Sequence, residues 1–226
     1  MKLLLFDIDL TLINSGGAGR RSMTLAFEKA FGKQNGFHGV NFAGRTDPLI
    51  LKDALAYNGL QWEPLKEESF KKAYFGYLKT EIEKPYPRKQ IQPGISEILN
   101  ILSKRKNITL GLLTGNWYQG AMIKLGYFNL THFFPIGAFA DDSEIREELP
   151  QIAVHQFEQK TGASICTENV FVIGDTPLDV ACAKPFGAKS IAVATGLFSS
   201  KELEEAHPDY LFSDLADYQN FLKIFN

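Results

Sequence analysis

Residues 3–12 read Leu3-Leu4-Leu5-Phe6-Asp7-Ile8-Asp9-Leu10-Thr11-Leu12, and this stretch decides the fold. Four consecutive apolar residues suit a short strand buried on both faces, as in a parallel sheet, and the strand must end where the acidic pair begins. Residues two apart on an extended chain point the same way, so Asp7 and Asp9 are expected side by side, each opposing ionisation of the other. A cation between them would relieve that repulsion. Mg²⁺ fits, because it prefers carboxylate oxygen and keeps positions open for water and phosphate. The competing reading is a strand that ends in a polar turn with an incidental acidic pair.

Three later segments share this form, an apolar run that ends abruptly in polar residues. They are Ile108–Leu113 before Thr114-Gly115-Asn116, Ile136–Ala140 before Asp141-Asp142, and Val170–Ile173 before Gly174-Asp175-Thr176. Helical patterns separate or follow them, at Ile95–Ser103, after Asn116, at about Leu149–Lys160 and at Pro177–Phe186, with a further strand at Ser190–Ala194. Such alternation predicts an α/β fold, a Rossmann-like, mainly parallel sheet with helices on both faces. In such sheets ligands bind outside the carboxyl ends of the strands, so the polar ends converge on one site.

Between the first strand and the rest of this core the pattern is helical throughout. Asn14-Ser15-Gly16-Gly17-Ala18-Gly19 is a flexible entry to a helix with Met23, Ala26, Phe27, Ala30 and Phe31 on one face, closed by Gly32. Asp47-Pro48 resembles an N-cap followed by proline, opening a helix that Asn58-Gly59 ends. Pro64 opens another, with Leu65, Phe70, Ala73, Tyr74, Tyr77 and Leu78 at helical spacing. The chain thus divides into a core of residues 1–14 and 85–226 and an inserted all-helical cap domain of residues 15–84.

The motifs D-x-D-x-T (Asp7, Asp9, Thr11), the strand-end Thr114, the basic Arg146 and G-D-x-x-x-D (Gly174, Asp175, Asp179) occur in that order. Together they resemble the haloacid dehalogenase superfamily, and within it the phosphoglycolate phosphatase-like phosphatases. The resemblance implies an aspartyl-phosphate mechanism. Asp7 is the implied nucleophile and Asp9 the general acid and base. Mg²⁺ is implied on Asp7, Asp175 and the backbone carbonyl of Asp9, with Asp179 supporting it from behind or through water. Thr114 is the expected phosphate donor, helped by backbone N–H groups at a helix start, and Asn116 is a further substrate contact or a cap. Relatives mostly carry lysine where Arg146 stands, and glycine where Leu10 stands. Arginine still neutralises phosphate, but its planar fork is not an ammonium point charge. Arg146 otherwise reads as a surface residue among Glu144, Glu147 and Glu148.

The helical insert corresponds to the cap that covers the site in this superfamily and selects substrate. Gly44-Arg45-Thr46-Asp47 resembles a cap loop that approaches the site, so Arg45 is expected to pair with a second anionic group of the substrate, with Arg20 a lesser candidate. The implied activity is Mg²⁺-dependent hydrolysis of a small phosphorylated metabolite, phosphoglycolate being the leading substrate. A phosphomutase of the β-phosphoglucomutase type shares all the core motifs, and a non-catalytic binding protein would keep the fold. A dehalogenase lacks the acid and base matched here by Asp9.

Composition sets the outer bounds. The chain has 226 residues, 45% hydrophobic and 22% charged, with a formal charge of −2, which leaves no footprint for nucleic acid or an anionic membrane. The run Leu3–Phe6 is too short for a signal peptide and no run approaches a membrane span, so a cytoplasmic location is expected, as a monomer or homodimer. Cys166 and Cys182 lack a C-x-x-C spacing, and His38, His132, His155 and His207 lack metal-ligand spacing.

Overall fold

The computed structural model describes residues 1–225; Asn226, the last residue of the expected core, lies outside them. In chain order the first elements are β1 (Lys2–Phe6), β2 (Ile13–Asn14), α1 (Ala18–Phe31), α2 (Asp47–Tyr57), α3 (Pro64–Glu81) and β3 (Gln90–Ile91). There follow α4 (Ile95–Leu102), β4 (Ile108–Leu113), α5 (Tyr118–Tyr127), β5 (Ile136–Ala138), α6 (Leu149–Thr161), β6 (Val170–Gly174) and α7 (Pro177–Phe186). The chain ends with β7 (Lys189–Val193), α8 (Ser200–Glu204), β8 (Tyr210–Phe212) and α9 (Tyr218–Leu222).

Among the described residues six strands form one sheet in the order β5-β4-β1-β6-β7-β8, with every neighbouring pair parallel. The leucine run of β1 therefore lies at the centre, Leu5 facing Gly111 on one side and Val172 on the other. Alternation along β1 feeds two separate cores. Leu4 and Phe6 pack with Ile98, Leu125 and Phe221 from α4, α5 and α9, while Leu3 and Leu5 pack with Phe157 and Cys182 from α6 and α7. Helices thus cover both faces, the Rossmann-like arrangement that the apolar runs predict.

The inserted helices build a third core. Met23 and Phe27 of α1, Leu51 of α2, and Phe70 and Tyr74 of α3 gather around Trp117, which the β4–α5 loop contributes. Trp117 meets Phe70 and Phe75 edge-on at 6.2 and 6.3 Å, contacts each worth about 0.5–1.5 kcal/mol beyond area burial. The insert joins the core through β2 and β3, which pair antiparallel where the chain enters and leaves it. Gly16 and Gly17 occupy left-handed backbone there, at φ +63 and +77, which glycine adopts at little cost.

Several boundaries shift from the expected ones, each for a local reason. β5 stops at Ala138, two residues short, because the Phe139 N–H is taken by Asp142 (2.8 Å) and the Ala140 N–H by the Asn116 carbonyl (3.0 Å). The last predicted strand begins at Lys189 and ends at Val193, since the Ala194 N–H turns to the Phe212 carbonyl (2.8 Å). Asp47 does not cap α2. Thr46 holds the cap position, and the Asp47 carboxylate accepts the Trp117 N–H (2.9 Å), tying the insert to the core. Among the described residues no helix is long and apolar enough to cross a membrane.

Candidate active site

The motif residues meet at the carboxyl ends of β1, β4 and β6. Asp7 follows β1 directly and its N–H donates to the Ile173 carbonyl (2.9 Å), Thr114 follows β4, and Asp175 follows β6. These ends share one cavity with Arg20, Arg45 and Tyr74 of the inserted segment. Asp7, Thr114, Asp175, Asp179 and Arg146 are all buried.

Burial pushes the Asp7 carboxyl up to about 7, with Asp179 and Asp9 adding to the rise while Arg146 and the Thr114 hydroxyl oppose it. Burial likewise holds Asp175 well above the usual carboxylate range, against a hydrogen bond from the Thr11 hydroxyl (3.3 Å). One guanidinium answers these carboxylates. Arg146 donates through Nη2 to Asp7 Oδ1 (3.3 Å) and to Asp179 Oδ1, and through Nη1 to the Gly44 carbonyl (3.2 Å). Desolvation disfavours its charge, but Asp179 and Asp7 outweigh that and raise its pKa. The second oxygen of Asp179 accepts from the Thr176 N–H (3.0 Å) and hydroxyl (2.7 Å) in a capping box that starts α7. Both oxygens of Asp179 are therefore engaged.

Three buried carboxylates against one arginine leave an excess of negative charge that a hard cation would offset. The donors on offer are all oxygen, as Mg²⁺ prefers. Among the described residues no three His, Cys, Asp or Glu side chains form a ready-made metal cluster. Asp7 and Asp175, both lining the cavity, would be the carboxylates to hold such an ion.

Asp9 lies near enough to Asp7 to raise its pKa, yet each carboxylate has its own cation. Asp7 faces Arg146, whereas Asp9 Oδ2 accepts from Lys124 Nζ (2.5 Å) and Asn116 Nδ2 (3.0 Å). The Asp9 side chain is 37% exposed against 11% for Asp7. Leu10, next in line, sits in left-handed backbone (φ +64), held there by its carbonyl, which accepts from Thr195 Oγ1 (2.7 Å) and Gln92 Nε2 (2.8 Å). Glycine would fit that conformation without strain.

Thr114 and Asn116 do not cap the following helix, whose cap position is Trp117. Asn116 Nδ2 instead bridges Thr114 Oγ1 (2.8 Å) and Asp9, placing the threonine hydroxyl and the Asp9 carboxylate in one network. Arg45 lines the cavity but pairs with Asp53 of α2 (2.8 Å), and among the described residues its buried Nε has no partner. Arg20 stacks over Phe42 at 4.8 Å.

Three cavity residues had no functional expectation attached. Lys124 of α5 is buried, and its ammonium holds both Asp9 and Asn116 Oδ1 (2.5 Å). Asp47 is pushed up to about 7, mainly by burial and against the pull of Lys124. Tyr74 carries a buried hydroxyl. The signal for Lys124 is a single charge within the apolar run Ala121-Met122-Ile123-Lys124-Leu125; Asp47 reads as a cap closing the loop expected near the site, and Tyr74 as part of an apolar helix face.

The family profile for haloacid dehalogenase-like hydrolases matches residues 4–193, a span that holds every motif of the site. The chain belongs to this family. Among relatives of this haloacid dehalogenase-like hydrolase, a pyrophosphatase PpaX of Oceanobacillus iheyensis is 24% identical over 221 residues, 96% of this chain and 94% of the other. A phosphoglycolate phosphatase of Pseudomonas syringae pv. tomato is 24% identical over 215 residues, 95% of this chain and 77% of the other. The fold is shared with a predicted phosphoglycolate phosphatase from Haemophilus somnus, at a TM-score of 0.74 and 20% identity, covering 100% of this chain and 98% of that one. It is shared also with CbbY from Rhodobacter sphaeroides in complex with phosphate, at a TM-score of 0.68 and 18% identity over 96% of each chain. The class that the family carries is that of a hydrolase.

Proposed function

We propose that this hydrolase is a Mg²⁺-dependent phosphatase that cleaves a small phosphomonoester through an aspartyl-phosphate on Asp7. The observation that carries the reading is the placement of Asp7 at the centre of the sheet's carboxyl edge, with Arg146 and the Thr114 hydroxyl beside it and Asp9 two residues on, held in the Thr114–Asn116 network. In the first step an Asp7 oxygen bonds to phosphorus as the ester bond breaks, and Asp9 gives its proton to the leaving alkoxide. In the second, water attacks phosphorus, Asp9 takes the proton, and Asp7 is released. Thr114 orients the phosphoryl oxygens and Arg146 offsets their charge. Mg²⁺, held by Asp7, Asp175 and the Asp9 carbonyl, would supply the positive charge that keeps the buried carboxylates ionised and stabilises the transferring group.

We assign residues 15–84 as a cap that excludes water during transfer and opens between turnovers, with Gly16 and Gly17 at its entry. Arg45 belongs to its substrate-selecting loop. Phosphoglycolate is the leading substrate and pyrophosphate the next, in keeping with the names of the relatives. The composition suits a cytoplasmic enzyme working as a monomer or homodimer on a small metabolite. The test is phosphate release from a panel of small phosphoesters and pyrophosphate, with and without Mg²⁺. Metal-dependent release supports the reading. Isomerisation of a sugar phosphate without net release would favour a phosphomutase.

A further inference from the structure

The cavity has a second polar end, formed by the inserted helices and α5. Tyr74 is fully buried and lines the cavity, yet among the described residues its hydroxyl has no hydrogen-bond partner. Such a group is costly and calls for an explanation, since nearly all buried hydroxyls are paired. Glycines keep the space around it clear. A Cβ on Gly19 would come 3.2 Å from Lys124 Nζ and 3.9 Å from the Tyr74 hydroxyl, and one on Gly120 would come 3.3 Å from that hydroxyl. The Lys124 ammonium has three N–H donors and spends two, on Asp9 and Asn116.

We propose that the Tyr74 hydroxyl and the remaining N–H of Lys124 form the subsite for the non-transferred end of the substrate, and that this end is a carboxylate on the leaving alcohol. Two unspent donors that line one cavity and both approach Gly19 match the two oxygens of a carboxylate. Burial, Asp47 and Asp9 hold the tyrosine well above its ordinary pKa, so it stays a donor. The assignment rests on reading the Asp7 end as the phosphoryl end. It also gives Lys124 a second duty, since the cation that grips the leaving group's carboxylate also holds Asp9, the proton donor to that same leaving group.

Binding calorimetry separates recognition from turnover. Phosphoglycolate, 2-hydroxyethyl phosphate and ethyl phosphate share the phosphoryl group and differ in the distal one. They are titrated with Mg²⁺ into the Asp7→Asn protein and into the same protein carrying Tyr74→Phe or Lys124→Met. The parent is expected to prefer phosphoglycolate over ethyl phosphate by roughly tenfold or more, and Tyr74→Phe to erase roughly tenfold of that preference while leaving ethyl phosphate unchanged. Lys124→Met should erase the preference too, on top of a common weakening of all three esters, because it also releases Asp9 and Asn116. No preference in the parent, a preference that survives both variants, or equal weakening of all three esters by Tyr74→Phe would overturn the assignment. Hydroxyethyl phosphate binding as tightly as phosphoglycolate would overturn the carboxylate. Phosphate release by wild type, read in parallel, bears on the phosphatase reading alone.

Discussion

Replacing Asp7 by asparagine should make the metal-free protein more stable at high pH. Burial is the main force that lifts the Asp7 carboxyl from 3.8 to about 7, and the opposing attraction of Arg146 does not cancel it. A folded-state pKa above the unfolded one means that the stability this group allows is full below about pH 3.8, falls as pH rises through 7, and levels off beyond. The gap of about three units, at roughly 1.36 kcal/mol each, caps the penalty at about 4 kcal/mol near pH 8.5. Partial relaxation at the cavity wall brings the expected gain for Asp7→Asn to about 2–4 kcal/mol, a rise in Tm of roughly 4–16 °C for a chain of this size. At about pH 5 the folded Asp7 already holds its proton and only the unfolded chain is ionised, so the gain shrinks to under about 2 kcal/mol. Thermal melts followed by circular dichroism, with a chelator present, at both pH values read this directly. An equal or lower Tm for the variant at the higher pH, or the same gain at both, would refute the charge-based reasoning.

Arg146→Met leaves Asp7 and Asp179 buried without their cation and should cost roughly 3–5 kcal/mol in urea titrations near neutral pH, less in acid where the carboxyls take up protons; a loss under about 1 kcal/mol contradicts the pairing. Gly115→Ala places a Cβ 2.3 Å from the Arg45 carbonyl oxygen and 2.9 Å from the Thr46 Cα, both backbone, at the point where the Asp47 N–H donates to the Gly115 carbonyl (2.7 Å). It should cost about 1–3 kcal/mol and shift Trp117 emission to the red as the insert lifts from the core; unchanged emission and Tm contradict that contact.

The central sheet was legible because its signals are local. An apolar run that stops at Asp7, Thr114 or Gly174-Asp175 states both the strand and its polar end, and Pro64, Gly32 and Pro177 mark helix boundaries by backbone chemistry alone. What escaped depends on partners distant in sequence. Asp47 has every local feature of an N-cap, and only folding brings it to the Trp117 N–H. Lys124 reads as a stray charge in an apolar helix until folding brings Asp9 opposite it from the end of β1, beside β4 in the sheet. Tyr74 satisfies helical periodicity through its ring, which hides the fact that its hydroxyl points into a cavity rather than to solvent. Arg146 could be placed by motif order, but its division between Asp7 and Asp179 comes from the turn that precedes α6.

The most direct test of the account is to quench the enzyme with acid during turnover of a reactive phosphomonoester in Mg²⁺ and to map the acid-stable protein by mass spectrometry. The account predicts a single phosphoryl group on the peptide carrying Asp7, absent from Asp7→Asn and removed by hydroxylamine as an acyl phosphate is. Phosphate release without any such adduct, and persisting in Asp7→Asn, would contradict it.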